Sequence, residues 1–253
     1  MPARIPMTAK QREALLALPM TEEEVIAHHS LDENERAAIA RLRSPANQLG
    51  YALQLCCLRF PGRYLRRGEL LPAIMLDHVA EQIDVDADVI ADFAKRGPTR
   101  YEQLASIKRN HGFVDLTHPV RAELKQWLEA EALSCTDGRL LLERLIARMR
   151  ERKIIIPGVS VIERLTASAM HAADAKVASE ILAQLNTEQK AKLNAVLDDK
   201  THAQQSRLSW LREPPIRVGA RGLFELLDKI DYIRRLGIGE LALPDYLKLR
   251  LSQ

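Results

Sequence analysis

The chain has 253 residues, of which 47% are hydrophobic and 28% charged, and a net charge of only +3. That is enough apolar content for one large core or two to three small ones, while no run approaches the ~18 consecutive apolar residues of a membrane helix. Three cysteines, two of them adjacent, and an N-terminus without a long apolar leader exclude a disulfide-stapled secreted domain and point to a reducing, cytoplasmic setting.

Aromatics are only 4%, and Leu, Ala, Glu, Lys and Arg dominate, a balance that favours helices over sheets. The expected fold class is all-α: several small helical domains, the first helix-turn-helix-like, followed by longer helices. In chain order the periodicity predicts helices at 8–18, 21–29, 33–43, 45–59, 71–84, 86–95, 99–110, 117–133, 138–152, 160–184, 187–199, 205–212, 220–236 and 244–251. Thr8 with Gln11, Thr21 with Glu24, Thr99 with Glu102 and Ser160 with Glu163 have the capping-box spacing, and Ser44-Pro45 marks a further start. The run "KIIIPGVSVI" from Lys153 is broken by Pro157-Gly158 and reads as a buried linker into a helix. Domain boundaries are expected to give three helical segments, 1–68, 69–156 and 157–253.

The helix at 45–59 is apolar nearly all round. Leu49, Leu53, Cys56 and Phe60 share one face and Tyr51, Leu55 and Leu58 another, which predicts burial on most sides. Cys56 and Cys57 then read as small core residues rather than nucleophiles. Directly after this helix Arg59, Arg63, Arg66 and Arg67 surround Tyr64 on a Pro-Gly turn.

Charge is distributed in blocks. Residues 31–67 hold seven Lys or Arg against three acids, 68–94 hold seven acids and no Lys or Arg, and 95–112 hold five bases against one acid. Such blocks serve either as solvated helix faces or as phosphate footprints. Under the second reading Arg41, Arg43, Arg63, Arg66 and Arg67 form one DNA-contacting surface and Lys95, Arg96, Arg100, Lys108 and Arg109 a second. Asn47 and Gln48, in the first turn after Pro45, are candidate base readers, because amides pair with adenine in the major groove. A third block, "RLIARMRERK", makes a stripe of Arg144, Arg148 and Arg152 that either touches phosphate or forms the solvated back of a helix.

Catalytic patterns are not found. "DVDAD" at Asp84, Asp86 and Asp88 opens like a calcium loop but has Val89 at the glycine position and Lys95 at the closing glutamate position. These acids read as caps of a short helix. His28 and His29 are adjacent and point about 100° apart on a helix, so they do not chelate one ion. His111 reads equally as a phosphate contact or as a helix C-terminal histidine. No catalytic residue, metal ligand or cofactor is assigned to this chain.

The ordered segments "REALLALP", "ANQLGYALQLCCLRFPGR", "YEQLASIKRNHGF", "KIIIPGVSVIERL", "LNTEQKAKLNAVL" and "LSWLREPP" resemble the N-terminal region of the Tn-three family of replicative transposases. The resemblance runs over essentially the whole chain. It implies binding of the terminal inverted repeats of a transposon, as double-stranded DNA, by several small helical domains that lead into dimerising helices, in the bacterial cytoplasm at the nucleoid. It also implies that strand transfer belongs to a metal-dependent, RNase H-like domain downstream, so that this chain reads as an expressed fragment or a truncated product. The competing reading is a helical protein-protein interaction module in which 160–251 dimerises and the basic blocks only solubilise the surface.

Overall fold

The computed structural model describes residues 5–93, 97–198, 206–215, 219–239 and 241–251, and among them every regular element is helical. In order these are α1 (Ala9–Leu15), α2 (Glu22–His29), α3 (Glu33–Ala40), α4 (Pro45–Arg59), α5 (Ala73–Gln82), a 3-10 helix (Ala87–Asp92) and α6 (Gly97–His111). They continue with α7 (His118–Ser134), α8 (Gly138–Glu151), α9 (Val159–Gln184), α10 (Thr187–Asp198), α11 (Arg207–Arg212), α12 (Ala220–Arg235) and α13 (Asp245–Leu251). The described residues fall into two compact units, Met1–His171 and Ala172–Gln253.

Helix starts follow their caps. Thr8 and Gln11 close a complete capping box, and Ser44 Oγ accepts from Asn47 N with Pro45 at the first helical position. Thr21 caps Glu24 N, and the Glu24 carboxylate accepts from Met20 N. Thr99 and Ser160 lie inside helices that begin earlier, at Gly97 and Val159. Glu163 is thereby released from capping, and its carboxylate pairs with Arg12 at 2.8 Å. Asp32 and Glu35 form a capping box that a Ser/Thr pattern does not find.

The centre of the first unit is α4. It packs against α2, α3, α5, α6 and the 3-10 helix, and every residue from Leu49 to Leu58 is buried. Each fully buried leucine here contributes roughly 1.5–3 kcal/mol of transfer free energy. Gly50 lets the 3-10 segment close in: a Cβ there would sit 2.1 Å from the Phe93 ring. The burial read from the 45–59 pattern is therefore borne out, and the helix-turn-helix-like arrangement expected for the first domain is not confirmed: beyond its first turn α4 presents no exposed face.

Segments 1–68 and 69–156, expected as separate domains, share one core. Leu18, Val25, Ile39, Leu53, Met75, Val79, Ile107, Phe113 and Ile155 belong to a single buried cluster. α7 and α8 pair beside it, burying Leu124, Leu128 and Ala132 of the one and Leu141, Leu145 and Met149 of the other. The isoleucines of the "KIIIP" linker, Ile154, Ile155 and Ile156, are buried: Ile155 N donates to Val114 O at 2.8 Å and Ile156 N to Gly62 O at 2.8 Å.

The turn after α4 is tied from several sides. The Phe60 ring lies between the His28 ring, stacked at 4.2 Å, and the Arg150 guanidinium at 4.4 Å. Arg150 Nε donates to Pro61 O and His29 Nε2 bonds Phe60 O, both at 2.9 Å. The Phe60-Pro61 peptide is cis, and Gly62 has φ +95°, where a side chain would be strained and its Cβ would press Ile156. Arg63 completes the knot by donating to Leu16 O, Tyr64 O and the Glu69 carboxylate.

In the second unit Trp210 of α11 meets Tyr232 of α12 edge-on at 5.8 Å, with the Arg207 guanidinium 5.7 Å from the Trp210 ring and 5.6 Å from the Tyr232 ring. Asn186 and Gln189 form a reciprocal cap for α10. No helix among the described residues is long and apolar enough to cross a membrane.

Arg63 is 6% exposed, so its removal takes the guanidinium donor from two carbonyls, Leu16 O and Tyr64 O, and leaves the Glu69 carboxylate with Arg66 N. Arg63→Ala is expected to lower stability by about 3–5 kcal/mol in urea unfolding followed by circular dichroism. The exposed neighbour substitution Arg66→Ala should stay within about 0.5 kcal/mol.

Candidate nucleic-acid interface

The 60–63 turn is anchored inward, and the chain reaches the surface only after the buried Leu65. Arg66 and Arg67 are exposed, and Tyr64 lies half-buried against α6. On α6, Tyr101, Leu104, Ala105 and Lys108 recur at i, i+3, i+4 and i+7 and therefore share one face. The 64–67 turn and this face enclose a cavity of about 490 Å³ lined by Tyr64, Arg67, Arg100, Tyr101, Leu104, Ala105 and Lys108.

Its walls are held in place. The Arg100 guanidinium donates to Leu65 O, and Tyr64 donates its hydroxyl proton to the Asp115 carboxylate. Lys108 Nζ donates to Asp115 at 2.8 Å and to the Tyr64 hydroxyl at 3.4 Å. These bonds act on the titrations. The hydrogen bond to Asp115 raises the Lys108 ammonium pKa, and the same bond, with that from Tyr64, lowers the Asp115 carboxyl. Burial and then Asp115 push the Tyr64 phenol up. At neutral pH the cavity presents three cations, one of them paired with Asp115, beside two phenol rings.

The structure sorts the sequence-predicted residues. Arg67, Arg100 and Lys108, from two separate basic blocks, meet at this cavity. Arg41, Arg43, Arg66 and Arg109 are exposed, outside the cavity lining. Lys95 and Arg96 lie outside the described residues. Arg63 is corrected to a structural cation, because its guanidinium is consumed by Leu16, Tyr64 and Glu69. Gln48 is likewise turned inward: its amide donates to Ala40 O at 3.3 Å and to Leu42 O at 2.9 Å, tying the α3–α4 turn. Asn47 is half-buried beside it, its backbone carbonyl accepting from Gln103 Nε2 at 3.1 Å.

The remaining candidates resolve as structural groups. His111 Nδ1 lies 3.6 Å from the buried carboxylate of Glu35, which Arg59 also pairs. Burial, then Arg59 and Lys153, lower the His111 pKa and favour its neutral form. In the third block, Arg144 pairs with Glu131, Arg148 with Glu151 and Arg152 with Glu123 at 2.8–3.1 Å, so that stripe is charge-neutralised in place. Asp86 caps the 3-10 helix through Asp88 N. Among the described residues no three His, Cys, Asp or Glu side chains gather as a metal cluster. Charge counting missed Tyr101, Leu104 and Asp115. The first two were available from the i, i+3, i+7 spacing with Lys108, while Asp115 meets Lys108 only through the turn after α6.

These features define an all-helical protein with a basic, tyrosine-lined surface cavity. Residues 7–169 match the family model described as Domain of unknown function (DUF4158), and the chain belongs to that family. It is also similar to transposases. The transposase for transposon Tn21 of Escherichia coli is 30% identical over 230 residues, 91% of this chain and 23% of that protein. The transposase for Tn2501 of Escherichia coli is 30% identical over 253 residues, 100% of this chain and 25% of that protein. The transposase for Tn1546 of Enterococcus faecium is 25% identical over 249 residues, 98% of this chain and 25% of that protein. The chain thus spans about a quarter of the length of these relatives. The resemblance read from the sequence is borne out.

Cys56 and Cys57 are fully buried, and burial pushes the Cys57 thiol up to about 12 and the Cys56 thiol in the same direction. Neither is expected to react with a chromogenic disulfide reagent at pH 8 in the folded chain, and both should react once urea unfolds it. Peptide mapping of the labelled cysteines checks this.

Proposed function

We propose that this chain is a DNA-binding portion of a transposase that recognises the terminal inverted repeats of its transposon. The single observation that carries the reading is the convergence of Arg67, Arg100 and Lys108 on one tyrosine-lined cavity, flanked by the exposed Arg66. The similarity to transposases supplies the kind of DNA. Arginines and lysines on phosphates fix register, and the aromatic surface between them adds contacts to sugar and base. Strand cleavage and transfer, with a divalent metal, belong in this proposal to a further domain of the whole transposase.

The test is fluorescence-anisotropy titration of the chain with a duplex carrying the element's terminal repeat and with a scrambled duplex, over a series of salt concentrations. The repeat is expected to bind more tightly, with a log–log salt slope of about −0.9 per phosphate contacted. Arg67→Ala should weaken binding and flatten the slope by about one such unit, whereas Arg144→Ala, whose charge is already paired with Glu131, should leave it unchanged. Equal binding to both duplexes overturns specific recognition.

Asp115 opposes phosphate binding by holding Lys108. Asp115→Asn should raise affinity about threefold, the worth of one partly exposed charge pair, and steepen the salt slope. An unchanged or lower affinity counts against Lys108 as a phosphate contact.

A second reading, self-association, is favoured by α12. Leu223, Phe224, Leu227 and Ile230 form a row on that helix and are 43–68% exposed, an apolar strip of the kind that marks interaction sites. Light scattering is expected to give a concentration-dependent mass that Phe224→Glu reduces to that of a monomer. A monomer mass at every concentration removes this reading.

A further inference from the structure

We propose that the cavity between α6 and the 64–67 turn holds a single nucleotide of the DNA strand turned out of its base stack, phosphate on Arg67 and Arg100, base against Tyr101. This deepens the DNA-binding reading and rests on it.

Phosphate contact alone does not need this architecture. Phosphates project from a duplex, and exposed cations such as Arg66 and Arg109 reach them without a cavity. Three features remain to be explained. The first is volume: about 490 Å³ lies in the range that encloses a small organic ligand. The second is the apolar wall, Leu104 and Ala105, which offers nothing to a phosphate. The third is Tyr101, 75% exposed on the same α6 face, a large ring left in water beside cations. A ring in that setting is a stacking platform, and a base offers its flat face only after leaving the stack.

The geometry also suits capture without rearrangement. Arg100 is pinned to Leu65 O, and Tyr64 and Lys108 are pinned to Asp115, so one side of the cavity is rigid before ligand arrives. Arg67 is exposed on the opposite, turn side. Three cations face the cavity, and Asp115 bonds only the Lys108 end, which leaves Arg67 and Arg100 as the phosphate side and Tyr101 with Leu104 as the base side.

A phosphate joined to a base is the chemistry recognised, and a DNA strand or a free mononucleotide carries it. The experiment separates these sources and separates this proposal from the reading beneath it. A series of terminal-repeat duplexes, each with one mismatched pair at a successive position, is titrated by anisotropy beside the fully paired and scrambled duplexes. An unpaired base costs less to extrude, so one position is expected to bind about tenfold tighter than the paired duplex. Tyr101→Ala should abolish that gain and Tyr101→Phe, which keeps the ring, should preserve it. Thymidine monophosphate in millimolar excess should not displace the duplex.

If no mismatch strengthens binding while the repeat is still preferred over the scrambled duplex, the DNA-binding reading stands and the nucleotide-capture proposal falls. If the paired repeat and the scrambled duplex bind alike, both fall. Displacement by thymidine monophosphate overturns the strand as the source of the nucleotide.

Discussion

A buried helix of fifteen residues has to end somewhere, and the way α4 ends governs the rest of the first unit. After Leu58 the chain reverses while still inside protein, which strands carbonyl groups away from water, each costly unless it finds a donor. Two arginines and a histidine supply the donors. Arg150 reaches Pro61 O and Leu15 O, Arg63 reaches Leu16 O and Tyr64 O, and His29 bonds Phe60 O. Because these donors come from α2, α8 and the turn itself, satisfying one reversal fixes the positions of α1, α2 and α8 around α4. Arg63 in turn needs an anion, and Glu69 provides it. Burial by itself would raise the Glu69 pKa, but hydrogen bonds from Arg63 and from Arg66 N bring it below the ordinary carboxylate value.

This arrangement separates the arginines of the first basic block by function. Arg59 and Arg63 are drawn inward to Glu35 and Glu69, and the chain then emerges with Tyr64, Arg66 and Arg67 on the outside. A count of charges along the sequence treats all of these alike. What distinguishes them is whether an acid or a stranded carbonyl is within reach, and that depends on contacts dozens of residues apart. The same selection operates on α8 and the residue after it, where Arg144 and Arg152 meet acids of α7 while Arg150 faces the turn.

The helical architecture could be read from local signals because those signals act locally. Among the described residues, caps, prolines and the 3.6 period set thirteen α-helices and one 3-10 helix at nearly the expected places. The all-round apolar pattern of α4 likewise announced its burial, and with it the inertness of Cys56 and Cys57. The role of α4 was harder. Ser44-Pro45 after a short helix looks the same whether the next helix enters a groove or becomes a core, and only the packing of α5, α6 and the 3-10 helix decides for the core. Gln48 shows the consequence, since the amide that resembled a base reader is turned back onto Ala40 and Leu42. Two of the four capping boxes also shifted, because a helix able to start one or two residues earlier does so and frees its acid for other partners, as Glu163 does for Arg12.

The candidate site was half visible for the same reason. Arg67, Arg100 and Lys108 stood out as bases, but the feature that makes them a site is the α6 face carrying Tyr101 and Leu104, together with Asp115 across the turn after α6. Asp115 changes the physics of that face. An ammonium held by a carboxylate and a phenol is oriented before any ligand arrives, yet its charge is partly cancelled, so a phosphate gains less from Lys108 than from Arg67, for which the described residues supply no carboxylate. Arg100 is intermediate, since among the described residues it bonds a neutral carbonyl, Leu65 O, which leaves its charge intact. The cavity is thus graded, from a neutralised, rigid end at Lys108 to a fully charged, exposed end at Arg67. A ligand with one charged end and one flat, uncharged end fits that gradient better than a uniform polyanion does.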